Sequence, residues 1–284
     1  MSTDDARMSK PGEKKAPSGY SSAIETHELS RKFGDFTAVD SINLNITPGR
    51  IFGLIGPNGA GKTTTIKMLT TLLVPTSGSA KIAGFDVRSS SKEVRKRIGY
   101  VPQMLSADGG LTANENLMLS AKLYGMKRSD RKTRVEEALN FMNLREFSNK
   151  LVKTYSGGMI RRLELAQAML HMPAVLFLDE PTIGLDPVAR RVVWERLMAL
   201  KEEYGMTILI TTHDMEEADR LCDEIALMHR GKITISGSPA DLKTSVGTDV
   251  NLDDVFVHYS GGIIEEGGNY RDVRKTRSTA NRLA

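Results

Sequence analysis

The segment Gly56-Pro57-Asn58-Gly59-Ala60-Gly61-Lys62-Thr63 matches G-x-x-x-x-G-K-[ST] and lies between an apolar run ending at Ile55 and a helical pattern opening at Thr63. That placement gives the motif its chemistry. Closely spaced glycines let successive backbone N–H groups converge on phosphate oxygens, and the helix N-terminus adds partial positive charge. Lys62 is expected to reach the β- and γ-phosphates and the Thr63 hydroxyl to ligate Mg²⁺, with Thr64 in the same binding set. A second pair, Asp179-Glu180, ends the apolar run Ala174 to Leu178, at the kind of strand end where open α/β sheets bind ligands. Asp179 suits water-mediated Mg²⁺ coordination, and Glu180 suits polarising an attacking water. Alone, such a pair also fits a solvated acidic strand end; downstream of a P-loop it reads as the hydrolytic half of a nucleotide site.

A third segment, Tyr155-Ser156-Gly157-Gly158-Met159, precedes the helical run MIRRLELAQAML and forms a second Gly-rich helix start able to grip an anion. One nucleotide hardly needs two such sites in one chain. Here the sequence resembles the ATP-binding-cassette (ABC) ATPases, whose signature segment, usually LSGGQ, is matched in place by YSGGM. The resemblance spans roughly Ile24 to Lys243, with its motifs in family order. It implies a phosphate-gripping role for Ser156, Gly157 and Gly158, while Met159 stands where glutamine is more frequent. Gln103, after RIGYV, resembles the Q-loop glutamine and, with Thr63 and Asp179, completes the implied Mg²⁺ set. Asp186, in Gly184-Leu185-Asp186, resembles the D-loop aspartate, and His213, after ILITT, resembles the switch histidine that holds the γ-phosphate and orients water. Phe33 stands where the family places an aromatic that stacks on adenine, with Phe36 as its rival. YSGGM, LFLDEPTIGLDP and LDDVFVHYSG (Leu252 to Gly261) together most resemble the ATPases of daunorubicin-resistance-type exporters.

These residues need a scaffold, and the hydrophobic pattern supplies one. Alternation from Ile24 toward Leu29 and from Ala38 to Ile46 predicts half-buried antiparallel strands, whereas Arg50 to Ile55 lacks alternation, as expected of a parallel strand covered on both faces. Helical periodicity follows in Thr63 to Leu73, ended by Pro75 and a Ser77-Gly78 turn. After a strand at Arg97 to Val101, residues 104 to 154 change character, with Leu117, Leu119, Leu123, Val135, Ala138, Leu139, Met142 and Leu144 at helical spacing. Helix 158–171, strand Val175 to Leu178, helix 187–203, strand Met206 to Thr211 and helix 214–222 then alternate as in a parallel α/β sheet. Ile225 to Met228 and Lys232 to Ile235 flank a turn at Arg230-Gly231 and read as a hairpin. The expected fold is α/β: a P-loop NTPase core with a mainly parallel sheet, an N-terminal antiparallel β subdomain and an inserted helical subdomain. The expected division is a tail over 1–22, an ATPase domain over 23–243 with the insert at about 104–155, and a C-terminal extension over 244–284.

Composition narrows the function classes. Of 284 residues, 40% are hydrophobic and 26% charged, a globular balance. Apolar runs such as Ala174 to Leu178 fall far short of the ~20 residues that a spanning helix needs, and the N-terminus lacks an apolar signal region, so a cytosolic chain is expected. The single cysteine, Cys222, excludes an internal disulfide and four-sulfur metal sites and fits a reducing compartment as a buried small apolar residue. Net charge is +4, all of it attributable to residues 271–284, where Arg271, Arg274, Lys275, Arg277 and Arg282 face only Asp272. A basic tail on a neutral body is not a nucleic-acid face, and no nucleic-acid partner is expected.

The resemblance implies an ATP-binding and ATP-hydrolysing transporter subunit. Two copies would join head to tail, each ATP lying between the P-loop of one chain and the signature helix of the other. A separate transmembrane permease subunit, touching the segment after Gln103, would convert closure into transport of the export type at the cytoplasmic face of the membrane. The alternative is a soluble, non-transport ABC ATPase acting on ribosomes or nucleic acid, whose usual paired cassettes or long coiled-coil insertion are not visible here.

Overall fold

The computed structural model describes residues 20–260, so most of the 1–22 tail and all of the basic 271–284 segment lie outside the described residues. The chain begins with β1 (Ile24–Phe33), β2 (Phe36–Ile46), β3 (Ile51–Ile55), α1 (Lys62–Leu69), β4 (Ser77–Ile82), β5 (Phe85–Asp86), α2 (Ser91–Arg97) and β6 (Ile98–Val101). Helices α3 (Ala113–Leu123), α4 (Arg128–Phe141) and α5 (Gly157–Met169) come next. Then follow β7 (Val175–Asp179), α6 (Pro187–Tyr204), β8 (Thr207–Thr212), α7 (Met215–Leu221), β9 (Glu224–His229), β10 (Lys232–Gly237), α8 (Pro239–Val246) and α9 (Leu252–Tyr259).

Two sheets result. One is antiparallel, in the order β2-β1-β4-β5; the other has the order β10-β9-β3-β8-β7-β6 and is parallel except for the β9–β10 hairpin. The wholly buried strands of the second sheet divide their side chains by the two-residue period. Ile51 and Ile55 of β3, Leu176 and Leu178 of β7, and Ile208 and Ile210 of β8 enter one core with α3 to α7. Phe52 and Leu54, Val175 and Phe177, and Leu209 enter the other, against the antiparallel sheet and α1. Continuous apolar runs are therefore what such a layered sheet requires.

Three expectations need correction. Helix α1 stops at Leu69, not Leu73, because Thr71 turns left-handed (φ 64°) and Leu72 is left exposed. Ser77-Gly78 does not close a turn; it opens β4, which bonds to β1 so closely that a Cβ on Gly78 would fall 2.2 Å from Glu28 O. Leu119 and Leu123 are exposed, since α3 buries the stripe Ala113, Asn116, Leu117, Ser120 and Ala121 instead. Asn116 can be buried because its amide accepts from Asp108 N and donates to Asp108 O and Thr112 O.

Candidate functional site

The site is built where neighbouring parallel strands end. β3, β8, β7 and β6 lie side by side in that order, and past their carboxyl ends come Gly56, His213, Glu180 and Gln103 respectively. Residues remote in sequence meet because adjacent strands share one edge.

The P-loop closes over α1 with little room. Gly61, the N-cap of α1, has φ 110°, and a Cβ there would lie 2.5 Å from Ala38 O. A glycine cap offers no side chain, and α1 has no acid in its first turn. Helices α5, α6 and α7, in contrast, are capped by Ser156, Asp186 and Asp214. The first N–H groups of α1 and its positive dipole end therefore remain for an anion.

Around that anchor the predicted residues converge. Lys62 is buried; its ammonium donates to Gly56 O (2.8 Å) and Pro57 O (3.1 Å) and stands 3.6 Å from Glu180 Oε1. Burial lowers its pKa, opposed by the nearby carboxylates of Glu180 and Asp179. Thr63 Oγ1 donates to Asp179 Oδ1 at 3.1 Å, and Thr211 Oγ1 donates to the same oxygen at 2.6 Å. Gln103 Nε2 donates to Glu180 Oε2 at 3.3 Å, while His213 Nδ1 lies 3.3 Å from Glu180 Oε1. Glu180 itself has φ 50°, left-handed backbone that is uncommon outside glycine and concentrates at functional sites. The hydroxyl of Thr63, the amide oxygen of Gln103 and the carboxylate of Asp179 form an all-oxygen set, which fits a hard divalent cation completed by water and phosphate oxygens. Chemically, the cluster can neutralise phosphate charge, hold such a cation and accept a proton from water.

Other predicted residues stand apart from this cluster. Among the described residues, no hydrogen bond or ion pair joins Ser156, Gly157, Gly158 or Asp186 to Lys62, Asp179 or Glu180. Ser156 Oγ accepts from Met159 N at 3.3 Å, and Asp186 Oδ1 accepts from Val188 N and Ala189 N at 3.0 and 2.9 Å. Gly158 permits close packing of α5 on α6, for a Cβ there would lie 2.7 Å from Ala189 Cβ. Phe33 and Phe36 both remain exposed at the β1–β2 turn, two to five residues before Ala38 of the P-loop wall, and the Arg31 guanidinium lies 4.6 Å over the Phe33 ring. Pro57, Asn58, Gly59, Ala60 and Thr64 occupy the loop and helix start around Lys62.

Some participants carry no sequence signal of their own. Thr211, which orients Asp179, is one of three threonines in the strand TILITT. Glu217 is buried beneath the loop after Glu180, accepting from Thr182 Oγ1 (2.7 Å) and Trp194 Nε1 (3.0 Å), and its pKa is raised chiefly by burial. From α9, Asp253, Phe256 and Val257 share a cavity of about 170 Å³ with Gly56, Pro57 and His213. That adjacency is a matter of chain return, which spacing does not encode.

The comparisons with known proteins agree with this geometry. The family model described as ABC transporter matches residues 39–183. The daunorubicin/doxorubicin resistance ATP-binding protein DrrA of Streptomyces peucetius is 44% identical over 228 residues, covering 80% of this chain and 69% of DrrA. The Nod factor export ATP-binding protein I of Paraburkholderia xenovorans is 42% identical over 229 residues, covering 80% of this chain and 75% of that protein. A dimeric ATP-binding cassette solved in a post-hydrolysis state with ADP and Pi superposes with a TM-score of 0.67 at 28% identity, covering 76% of this chain and 98% of that one. With the P-loop, the strand-end carboxylates and His213 gathered at one sheet edge inside a chain so matched, this protein belongs to the ABC transporter family as an ATP-binding ATPase subunit.

Proposed function

We propose that this ATPase drives an exporter as a head-to-tail dimer, with each ATP held between the P-loop of one chain and Ser156-Gly157-Gly158 of another, most simply a second copy. The observation that carries this reading is the presence of two Gly-rich helix starts, at α1 and α5, with no hydrogen bond or ion pair, among the described residues, between the α5 start and the chain's own Lys62–Glu180 cluster. A signature that does not serve its own nucleotide has a use in trans. DrrA and the Nod factor exporter subunit support the export direction, and the ADP-bound dimeric cassette supports pairing.

In this arrangement Gly56 to Thr64 wrap the phosphates, Lys62 neutralises the β- and γ-oxygens, and Phe33 stacks on adenine. Thr63, Gln103 and Asp179 would hold Mg²⁺, which when bound spreads the charge of the β- and γ-phosphates. Glu180 takes the proton of the attacking water, His213 orients that water at the γ-phosphate, and Asp186, the N-cap of α6, belongs to the nucleotide-binding set. Residues 23–243 are taken as the ATPase domain, with 104–155 as its helical insert and 244–284 as an extension.

Among the described residues no helix is long and apolar enough to cross a membrane. The membrane-spanning partner in this reading is a separate permease subunit. A groove of about 970 Å³ between α2 and the α3–α4 pair, with Leu123 and Tyr124 on its rim, together with exposed Met104 and Leu105, supports permease contact after Gln103 at the cytoplasmic face. The test is concentration dependence: specific ATPase activity of the purified chain should rise with its concentration. A rate per chain that stays flat on dilution well below micromolar would exclude a site shared by two chains.

A further inference from the structure

Outside the nucleotide cluster, one ion pair among the described residues is wholly buried, and its other hydrogen bonds go to a single loop. Arg161 and Glu164 stand one turn apart on α5, 2% and 3% exposed, with Arg161 Nη1 donating to Glu164 Oε2 at 2.9 Å. Desolvation of both charges largely offsets such an attraction, so net stability does not account for the pair. Its other bonds are directional. Arg161 Nη1 donates to Pro102 O and Nη2 to Gln103 O, each at 2.8 Å. From the far side, Glu164 Oε1 accepts from the backbone N–H of Ser106 and, at 3.1 Å, from its hydroxyl.

The segment from Pro102 to Ser106 is thus gripped at both ends by one helix, and between the grips Met104 and Leu105 face solvent, 82% and 51% exposed. Gln103 extends from this segment to Glu180 (3.3 Å), while the gripping helix starts at the signature cap Ser156, little more than one turn before Arg161. A guanidinium fork on consecutive carbonyls fixes orientation as well as distance.

We propose that Arg161 and Glu164 are positioning residues that make the Gln103 segment and the signature helix one rigid unit. Contact at Met104 and Leu105 then reaches both the chain's own nucleotide, through Gln103, and the partner's nucleotide, through Ser156. This rests on the shared-site reading above.

The test is the double variant Arg161→Met/Glu164→Leu, which replaces the pair with apolar side chains and releases the loop, an exchange that buried pairs often tolerate. Expected are a melting temperature close to wild type, a little-changed KM for ATP, and a kcat lower by roughly tenfold or more, since displacement by about an ångström at a reacting centre can cost about a hundredfold. Arg161→Lys, which keeps the charge and loses the fork, should fall between. A folded double variant with wild-type kcat overturns the proposal. Should the double variant not fold, hydrogen–deuterium exchange on the Glu180→Gln chain decides. ATP should change protection of the amides in 103–106 and 156–160 together, and a change confined to one segment refutes the clamp. If Glu180→Gln forms no dimer with ATP, the shared-site reading and the clamp both fail; if it dimerises while the two segments respond separately, only the clamp fails.

Discussion

Lys62 of the P-loop and Glu180 after β7 form a buried ion pair, Nζ to Oε1 at 3.6 Å, with side chains only 5% and 8% exposed. The same Oε1 lies 3.3 Å from His213 Nδ1, and the other carboxylate oxygen receives Gln103. One carboxylate therefore organises a lysine, a histidine and an amide that reach it from three separate strand ends. Glu180→Gln preserves shape and removes the base, so turnover should fall by ~10²- to 10⁴-fold. ATP-bound dimers should then accumulate, giving a larger species on gel filtration with ATP than with ADP. Wild-type turnover in this variant would remove Glu180 from the role of base.

Gly61 has both a left-handed backbone and no space for a Cβ, which would sit 2.5 Å from Ala38 O and 2.7 Å from Met228 Cε. Gly61→Ala must shift the loop off its phosphate-binding geometry, and the strained φ alone destabilises by about 1–3 kcal/mol. ATP affinity measured by calorimetry should drop together with the melting temperature. An alanine variant that binds ATP like wild type would show that the loop has slack which these contacts deny.

Lys62→Ala damages the site a chain supplies to its own nucleotide, and Ser156→Arg damages the site it supplies to its partner. With Glu180→Gln added to both, a mixture of the two chains should trap up to one ATP per heterodimer, because one site is then assembled from intact halves. Neither homodimer should trap ATP. Retention by the Ser156→Arg homodimer as firm as in the Glu180→Gln parent would exclude closure of the site in trans.

His171 ties the α5 end to the parallel sheet: Nε2–H donates to Ile98 O at 3.0 Å, and the ring stacks on Tyr124 with centroids 3.7 Å apart. Burial pushes its pKa from 6.5 down to about 4, with the Ile98 bond opposing. As pH falls the unfolded chain takes up this proton before the folded one, so the stabilisation is whole above about pH 6.5 and is lost progressively toward pH 4. His171→Phe should flatten the dependence of melting temperature on pH across that window relative to wild type, apart from a constant offset. Parallel curves would show that the ring does not stay neutral on folding.

Residue order alone determined the chemistry and the kind of scaffold. GPNGAGKT between an apolar run and a helical one reads as a turn rich in free N–H groups, and Gly61 in it has no room for a side chain. The unbroken runs IFGLI and AVLFL marked buried strands, and their alternate residues are indeed buried in two different cores. Local signals failed where a partner strand or a neighbouring helix decided the outcome. SGSAKI is a poor strand by itself and becomes β4 only because β1 pairs with it, and α3 exposes Leu119 and Leu123 because a face with a satisfied Asn116 meets the core.

Only the tertiary structure decided which residues meet. The order β3-β8-β7-β6 brings Gly56, His213, Glu180 and Gln103 to one edge, a neighbour relation set by long-range pairing and invisible to any window of sequence. It also placed α9 beside the P-loop, put Glu217 under the loop that leaves Glu180, and turned Arg161 and Glu164 from two charges on a helical run into a buried grip on the Gln103 backbone. Periodicity records which face of an element is apolar. Which polar groups are buried, and against what, depends on the partners that satisfy their hydrogen bonds, and those partners are supplied by the fold.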